Sequence, residues 1–146
     1  MALFKKKTGE KPAARPSGAA DMSPMVQMLA SAPEEQRRQM LADRLAVFAS
    51  QDEATRTAGM TAMLKAALGL PEGEYAKIAE SRLAVLLGME PEQRKILMTS
   101  HAAVVKELPD DLRQKEMGAM KASVSKLPEQ QRAMVMAMMK SLGMMG

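Results

Sequence analysis

The stretches PEEQRRQMLADRLAV (residues 33–47) and PEGEYAKIAESRLAV (residues 71–85) decide the fold, because they match each other at a 38-residue offset. A third segment opens with Pro109 at the same offset. Two further positions recur in all three segments, an arginine (Arg56, Arg94, Arg132) and a methionine (Met60, Met98, Met136). A fixed period of this length is typical of stacked helical repeats, in which one repeat cannot bury its apolar face alone.

Helix starts recur as a proline followed by a carboxylate, as in Pro33-Glu34 and Pro128-Glu129. Proline costs little in the first helical position, where its missing N–H has no helical partner, and the carboxylate stabilises the positive end of the helix dipole. Asp52 is a predicted N-cap, and glycines at 69, 88 and 143 are predicted to follow helix ends. These signals predict six main helices near 33–49, 53–68, 71–87, 91–107, 109–126 and 128–142.

The predicted fold class is all-α, with three tandem helix-pair repeats that form a short α-solenoid or a compact helical bundle. Short linkers force neighbouring helices to run antiparallel. The repeats are 33–70, 71–108 and 109–146. We expect the helical repeat domain to span residues 23–146, opening with a short helix that has Ser23 as N-cap and Pro24 as its first residue. Residues 1–22, rich in Lys, Pro, Gly, Ala and Ser, are predicted to be a disordered basic tail.

Composition excludes several classes of protein. There is no cysteine among the 146 residues, which excludes disulfides, thiolate metal sites and thiol catalysis. No apolar run approaches the roughly 20 residues needed to cross a bilayer. The N-terminus has no apolar run behind its lysines, so it does not read as a secretory signal. We therefore expect a cytoplasmic protein without a transmembrane segment.

The net charge of +4 is concentrated near the N-terminus, where residues 1–24 carry +3 of it. The rest of the chain is nearly neutral, unlike a nucleic-acid-binding domain, and no nucleic-acid partner is expected. The candidate residues for a weak contact with an anionic membrane surface or an acidic partner are Lys5, Lys6 and Lys7, which follow Leu3-Phe4. Such a contact supplies about 1 kcal/mol per charge, too little for stable anchoring alone.

Methionine is the compositional outlier, with 17 residues. The last helix is apolar on more than one side, whereas a helix that is buried on one face needs only one stripe. The candidate partner-binding residues there are Met134, Met136, Met138, Met139 and Leu142. Core packing is the alternative, because thioethers fill irregular gaps. A remote alternative is Cu(I) binding, which would favour an oxidising compartment and a supporting histidine, and the C-terminal region offers neither.

His101 is the only histidine, and it matches Met63 and Met139 of the other repeats on an apolar stripe. We expect a partly buried core or edge residue, with a pH-sensitive contact as the alternative. No catalytic, cofactor-binding or metal-binding residue is predicted. The interpretation is a non-enzymatic interaction or adaptor protein that binds a protein partner, or itself, through its C-terminal helix. The alternative is a regulator that uses its basic tail at a membrane surface.

The phrase Leu127-Pro128-Glu129-Gln130-Gln131-Arg132 resembles helix starts in helical repeat domains such as the cytoplasmic N-terminal domain of magnesium transporters and the flagellar rotor proteins. The helices predicted here are longer and more widely spaced than in those domains. The resemblance is confined to this helix-start pattern, and it implies a stacked helical architecture without implying membership of either family.

Overall fold

A computed structural model describes residues 21–144, and within that range all regular structure is α-helical. The helices are α1 (Ser23–Ser31), α2 (Glu34–Ser50), α3 (Glu53–Leu68), α4 (Glu72–Leu87), α5 (Pro91–Lys106), α6 (Asp110–Ser125) and α7 (Glu129–Ser141). The all-α class is confirmed, and the six main helices begin and end within one residue of their predicted bounds. None of the described helices is long and apolar enough to cross a membrane. The tail predicted for residues 1–22 lies outside the described range except for its last two residues, and it stays a prediction.

Helices two places apart in the chain pack together most extensively. α2 packs on α4 and α4 on α6, while α1 packs on α3 and α3 on α5. Contacts between α2 and α5 and between α3 and α6 join these two rows, and α7 packs against α6. This arrangement is compatible with a helical bundle, and its core lies between the two rows.

The helix starts recur at a 19-residue interval, half of the 38-residue offset. The residues that directly precede α2 to α7 follow one another at this interval: Pro33, Asp52, Pro71, Glu90, Pro109 and Pro128. A single helix with its linker is therefore the unit of the spacing, and we call it a 19-residue unit. Equivalent positions of successive units can be compared directly between helices.

The caps differ from prediction in detail. Pro33, Pro71 and two further prolines are N-caps rather than first helical residues, with extended ψ angles near 150° and carbonyls that accept helical N–H groups. Asp52 is confirmed as an N-cap, because its carboxylate accepts from the Thr55 N–H at 2.8 Å. The N-cap prediction for Ser23 is wrong. Met22 is the N-cap, and the Ser23 N–H instead donates to Asp21 Oδ1 at 3.0 Å.

The core is aliphatic and rich in methionine, as the scarcity of aromatic residues predicts. Leu45 is buried, and Leu83, its counterpart 38 residues later, is half-buried. In the last pair of helices Lys121 holds the equivalent place and is exposed, while Met120 is half-buried. The largest core side chain near the start of the fold is Phe48, whose ring lies against Gly59 of α3.

We expect Gly59→Ala to destabilise the protein, although alanine is normally the better helix former. A Cβ on Gly59 would lie 2.8 Å from Cε1 of the buried Phe48 ring, so the ring would have to shift within a packed core. The matched control is Gly118→Ala in α6, where a Cβ meets nothing within 4 Å. That change should stabilise by about 0.5–1 kcal/mol. Denaturant unfolding measures the stability of both variants. Equal increases in the free energy of unfolding at the two sites would contradict the close contact between Gly59 and Phe48.

Candidate functional site

The arginines that recur along the chain hold the ends of neighbouring helices together. Each lies four residues after an N-cap, and its Nη1 donates to the carbonyl five residues earlier, between 2.7 and 3.1 Å away. The five are Arg37, Arg56, Arg94, Arg113 and Arg132. These carbonyls lie just past the end of the preceding helix, where they have no helical partner. These five arginines therefore have a structural role, because each connects its helix to the end of the preceding helix.

Tyr75 occupies the arginine position in α4 and breaks this pattern. The carbonyls at the end of α3 are instead satisfied from another helix. Lys115 of α6 donates through Nζ to the carbonyls of Leu68, at 2.6 Å, and Leu70, at 3.1 Å. Because Tyr75 does not bind these carbonyls, its hydroxyl points into the core.

A network of polar side chains joins α4, α5 and α6 in the interior, and its centre is Glu116, which has 0% exposure. The Tyr75 hydroxyl donates to Oε1 of Glu116. The other oxygen, Oε2, accepts from Arg82 Nη2 at 2.9 Å and lies 2.7 Å from His101 Nε2. Because an ionised carboxylate can only accept hydrogen bonds, this geometry assigns the donated proton to Nε2. We call these four residues the polar network.

The electrostatics of the polar network favour an ionised carboxylate next to a charged guanidinium. Burial by itself raises the pKa of Glu116, but the charge of Arg82 and the hydrogen bonds from His101 and Tyr75 outweigh it and lower the pKa to about 2. Burial raises the pKa of the Tyr75 hydroxyl well above its ordinary value, so that it remains a donor at neutral pH. The charges of Arg82 and Glu116 thus compensate each other in the core.

An apolar cavity of about 60 Å³ lies beside the polar network, and Arg82 and His101 form part of its wall. Aliphatic residues from α2, α4, α5, α6 and α7 line it, together with five methionines. Those methionines are Met60, Met98, Met120, Met139 and Met144. His101 is thus partly buried, as predicted, and it contacts both a buried carboxylate and a methionine-lined space.

The predicted partner-binding residues, which lie on α7 or directly after it, divide into three groups by their exposure. Met134 and Met136 are exposed, at 40% and 41%. Met138 and Leu142 are half-buried, and Met139 is buried at the wall of the cavity. Binding at the surface of α7 would therefore involve Met134 and Met136 first. The other predicted contact residues, Lys5, Lys6 and Lys7, lie outside the described residues.

Two grooves run along the sides of α7. One, of about 220 Å³, lies between α6 and α7, and its lining includes Met136, Lys121 and Arg132. The other, of about 300 Å³, lies between α5 and α7, and its lining includes Met138, Arg94 and Lys95. The lining of both grooves is apolar and basic, with no acidic side chain among the described residues that form it. Neither Lys95 nor Lys121 forms an ion pair with a described residue.

Sequence reasoning missed Tyr75, Arg82, Lys115 and Glu116 as interacting residues. One signal was available: Glu116 stands one full repeat after Ile78, at a position that the periodicity assigns to the core. A carboxylate in such a place requires buried partners, because an isolated buried charge is very costly. The identity of those partners depends on the packing of α4 and α5 against α6.

Comparisons with known protein families, with curated proteins and with solved structures find no match. The features of the chain that bear on function are therefore the polar network, the cavity and the surface of α7.

We expect Glu116→Gln to lower the free energy of unfolding at neutral pH by about 3–5 kcal/mol, because Arg82 would be left in the core without its counterion. The folded-state pKa of Glu116 is about 2, below its ordinary value of 4.5. Its contribution to stability is therefore full above about pH 4.5 and is lost as the pH falls toward 2. The variant should lose less stability than the parent across that window.

Denaturant unfolding at several pH values between 2 and 7 tests this expectation. Glu107→Gln is the control, since Glu107 is exposed at the end of α5. Two results would contradict an ionised buried carboxylate. One is a free energy of unfolding that falls with acid in Glu116→Gln as steeply as in the parent, and the other is the same small loss of stability in both variants.

Lys115→Met should destabilise the end of α3, because the carbonyls of Leu68 and Leu70 lose their donor. A buried acceptor left without a partner costs about 1–3 kcal/mol. Amide hydrogen exchange should report the loss as faster exchange in the last turn of α3 relative to the other helices. Lys77→Met, on the exposed side of α4, is the control. Uniform faster exchange in all helices would argue against a local cap.

Proposed function

We propose that the chain is a cytoplasmic, non-enzymatic interaction module, built from helical repeats, that binds a partner protein on the outer surface of α7. The observation that carries the proposal is the exposure of Met134 and Met136. Successive helical residues are about 100° apart, so these two lie about 200° apart, on opposite flanks of the helix. Val135 and Met139 form the buried stripe between them. Two large apolar side chains beside a stripe that is already covered by the core favour an occupant from outside.

The short α-solenoid is part of the same proposal. The packing of alternate helices and the constant 19-residue interval support a linear stack, in which each unit buries the apolar face of its neighbour. In such a stack the last helix has one face without a neighbouring unit. Terminal units are usually polar on that side, whereas α7 presents methionines.

The charges beside α7 indicate the chemistry of the partner. Lys121 and Arg132 border the groove on one side, and Arg94 and Lys95 border the groove on the other. Arg94 and Arg132 each use one nitrogen to bind a backbone carbonyl, but both keep their charge. We therefore propose an amphipathic segment with acidic residues beside its apolar ones. Methionine suits this role because its flexible side chain adapts to varied apolar surfaces.

We expect a synthetic amphipathic helical peptide, with leucines at i, i+3, i+4 and i+7 flanked by glutamates, to bind the full chain. Binding should weaken by about tenfold or more in Met136→Glu and in Met134→Glu, through lost apolar contact and charge repulsion, and it should weaken with salt. Fluorescence anisotropy measures the affinity. Met28→Glu is the matched control, because Met28 is 59% exposed on α1, which packs on α2, α3 and α4.

A peptide with the same leucines and lysines in place of the glutamates separates charge recognition from general apolar adhesion. Equal binding of the two peptides would contradict the acidic partner, and no binding of the acidic peptide would contradict the site. Concentration-dependent light scattering that is lost only in the α7 variants would instead identify a second copy of the chain as the occupant.

A further inference from the structure

The only histidine and five methionines border the same cavity, although they are scattered along the sequence. The cavity beside the polar network is lined by Met60, Met98, His101, Met120, Met139 and Met144. Thioether sulfurs and imidazole nitrogens are ligands that suit Cu(I). We propose that this cavity binds a soft monovalent metal ion, Cu(I), through His101 and methionine sulfurs.

The proposed ligands come from corresponding positions in successive 19-residue units. His101, Met120 and Met139 hold the same position in three consecutive units, on α5, α6 and α7. α5 packs on α6 and α6 packs on α7, so equivalent faces of three successive helices border the same space. Met98 lies three residues before His101, on the same face of α5. These four residues form the proposed ligand set.

Glu116 prepares His101 for this role. The hydrogen bond from Nε2 to Oε2, at 2.7 Å, fixes the orientation and the tautomer of the ring. The other ring nitrogen, Nδ1, has no hydrogen-bond partner among the described residues. A carboxylate that holds one nitrogen of a histidine while the other binds a metal is a common arrangement in metal sites.

The surroundings favour a soft ion of single charge. Within residues 21–144 no three side chains of His, Asp or Glu cluster to bind a metal, so a hard divalent ion has no carboxylate cage. A single charge costs less to bury than a double charge, and the Glu116 carboxylate lies one hydrogen bond behind the His101 ring. The cavity volume, about 60 Å³, exceeds the roughly 10–15 Å³ that a single water molecule requires. One ion can therefore be accommodated without displacing a helix.

Titration of the full chain with Ag(I), a redox-inert ion of the same charge and softness, tests the site. Calorimetry should give one tight site per chain, and a bound ion should raise the thermal unfolding temperature. The double variant Met120→Leu/Met139→Leu keeps the apolar volume and should weaken binding by about tenfold or more. The double variant Met134→Leu/Met136→Leu removes two exposed methionines and should bind as the parent does.

Cu(I) itself is then measured by competition with bicinchoninate under reducing conditions, with X-ray absorption to identify sulfur and nitrogen neighbours. Absence of binding would overturn the proposal, as would equal losses in the two double variants or several weak ions per chain without thermal stabilisation. The result is distinguishable from that of the interaction module, because the two tests use different variants. Met98 and Met139 border both the cavity and the grooves beside α7, whereas Met134 and Met136 do not line the cavity.

Discussion

An arginine that reaches back five residues to a backbone carbonyl is the interaction on which the regular succession of helices depends. It joins the first turn of one helix to the unsatisfied end of the helix before it, across linkers of only two or three residues. Because the linker length and this contact both recur, consecutive helices are joined in similar ways. Helices two places apart can then pack side by side from α1 to α6.

The one departure from this rule creates the polar centre of the molecule. Where Tyr75 replaces the arginine, the end of α3 is held by Lys115 from α6 instead. Since Glu116 is the next residue along α6, the same helix supplies both the replacement cap and the carboxylate that the Tyr75 hydroxyl contacts. The exchange of one side chain in the repeat thus couples a helix cap to a buried ion pair and to the wall of the cavity.

The helices were predictable because their signals are local. Proline, carboxylate and glycine act within one turn of a helix end, so the bounds follow from a few neighbouring residues. The 38-residue offset was also visible, but the 19-residue unit was not. Tyr75 interrupts the series of arginines, and Asp52 and Glu90 interrupt the series of prolines. The polar network and the cavity depend on contacts between residues that are 15 to 41 positions apart, and only the packing of three helices brings those residues together.

The position of Glu116 argues that the polar network is there for more than stability. Its counterparts in three other units are apolar and buried: Ile78, Leu97 and Val135. An aliphatic residue would therefore fit the architecture, and replacement of a buried ion pair by well-packed apolar residues is often neutral or stabilising. Keeping a carboxylate there also commits Arg82, His101 and Tyr75 to the core, at a cost in desolvation. The carboxylate orients the His101 ring at the edge of the methionine-lined cavity through a hydrogen bond. No aliphatic side chain can orient the ring in this way, and this orientation accounts for the cost.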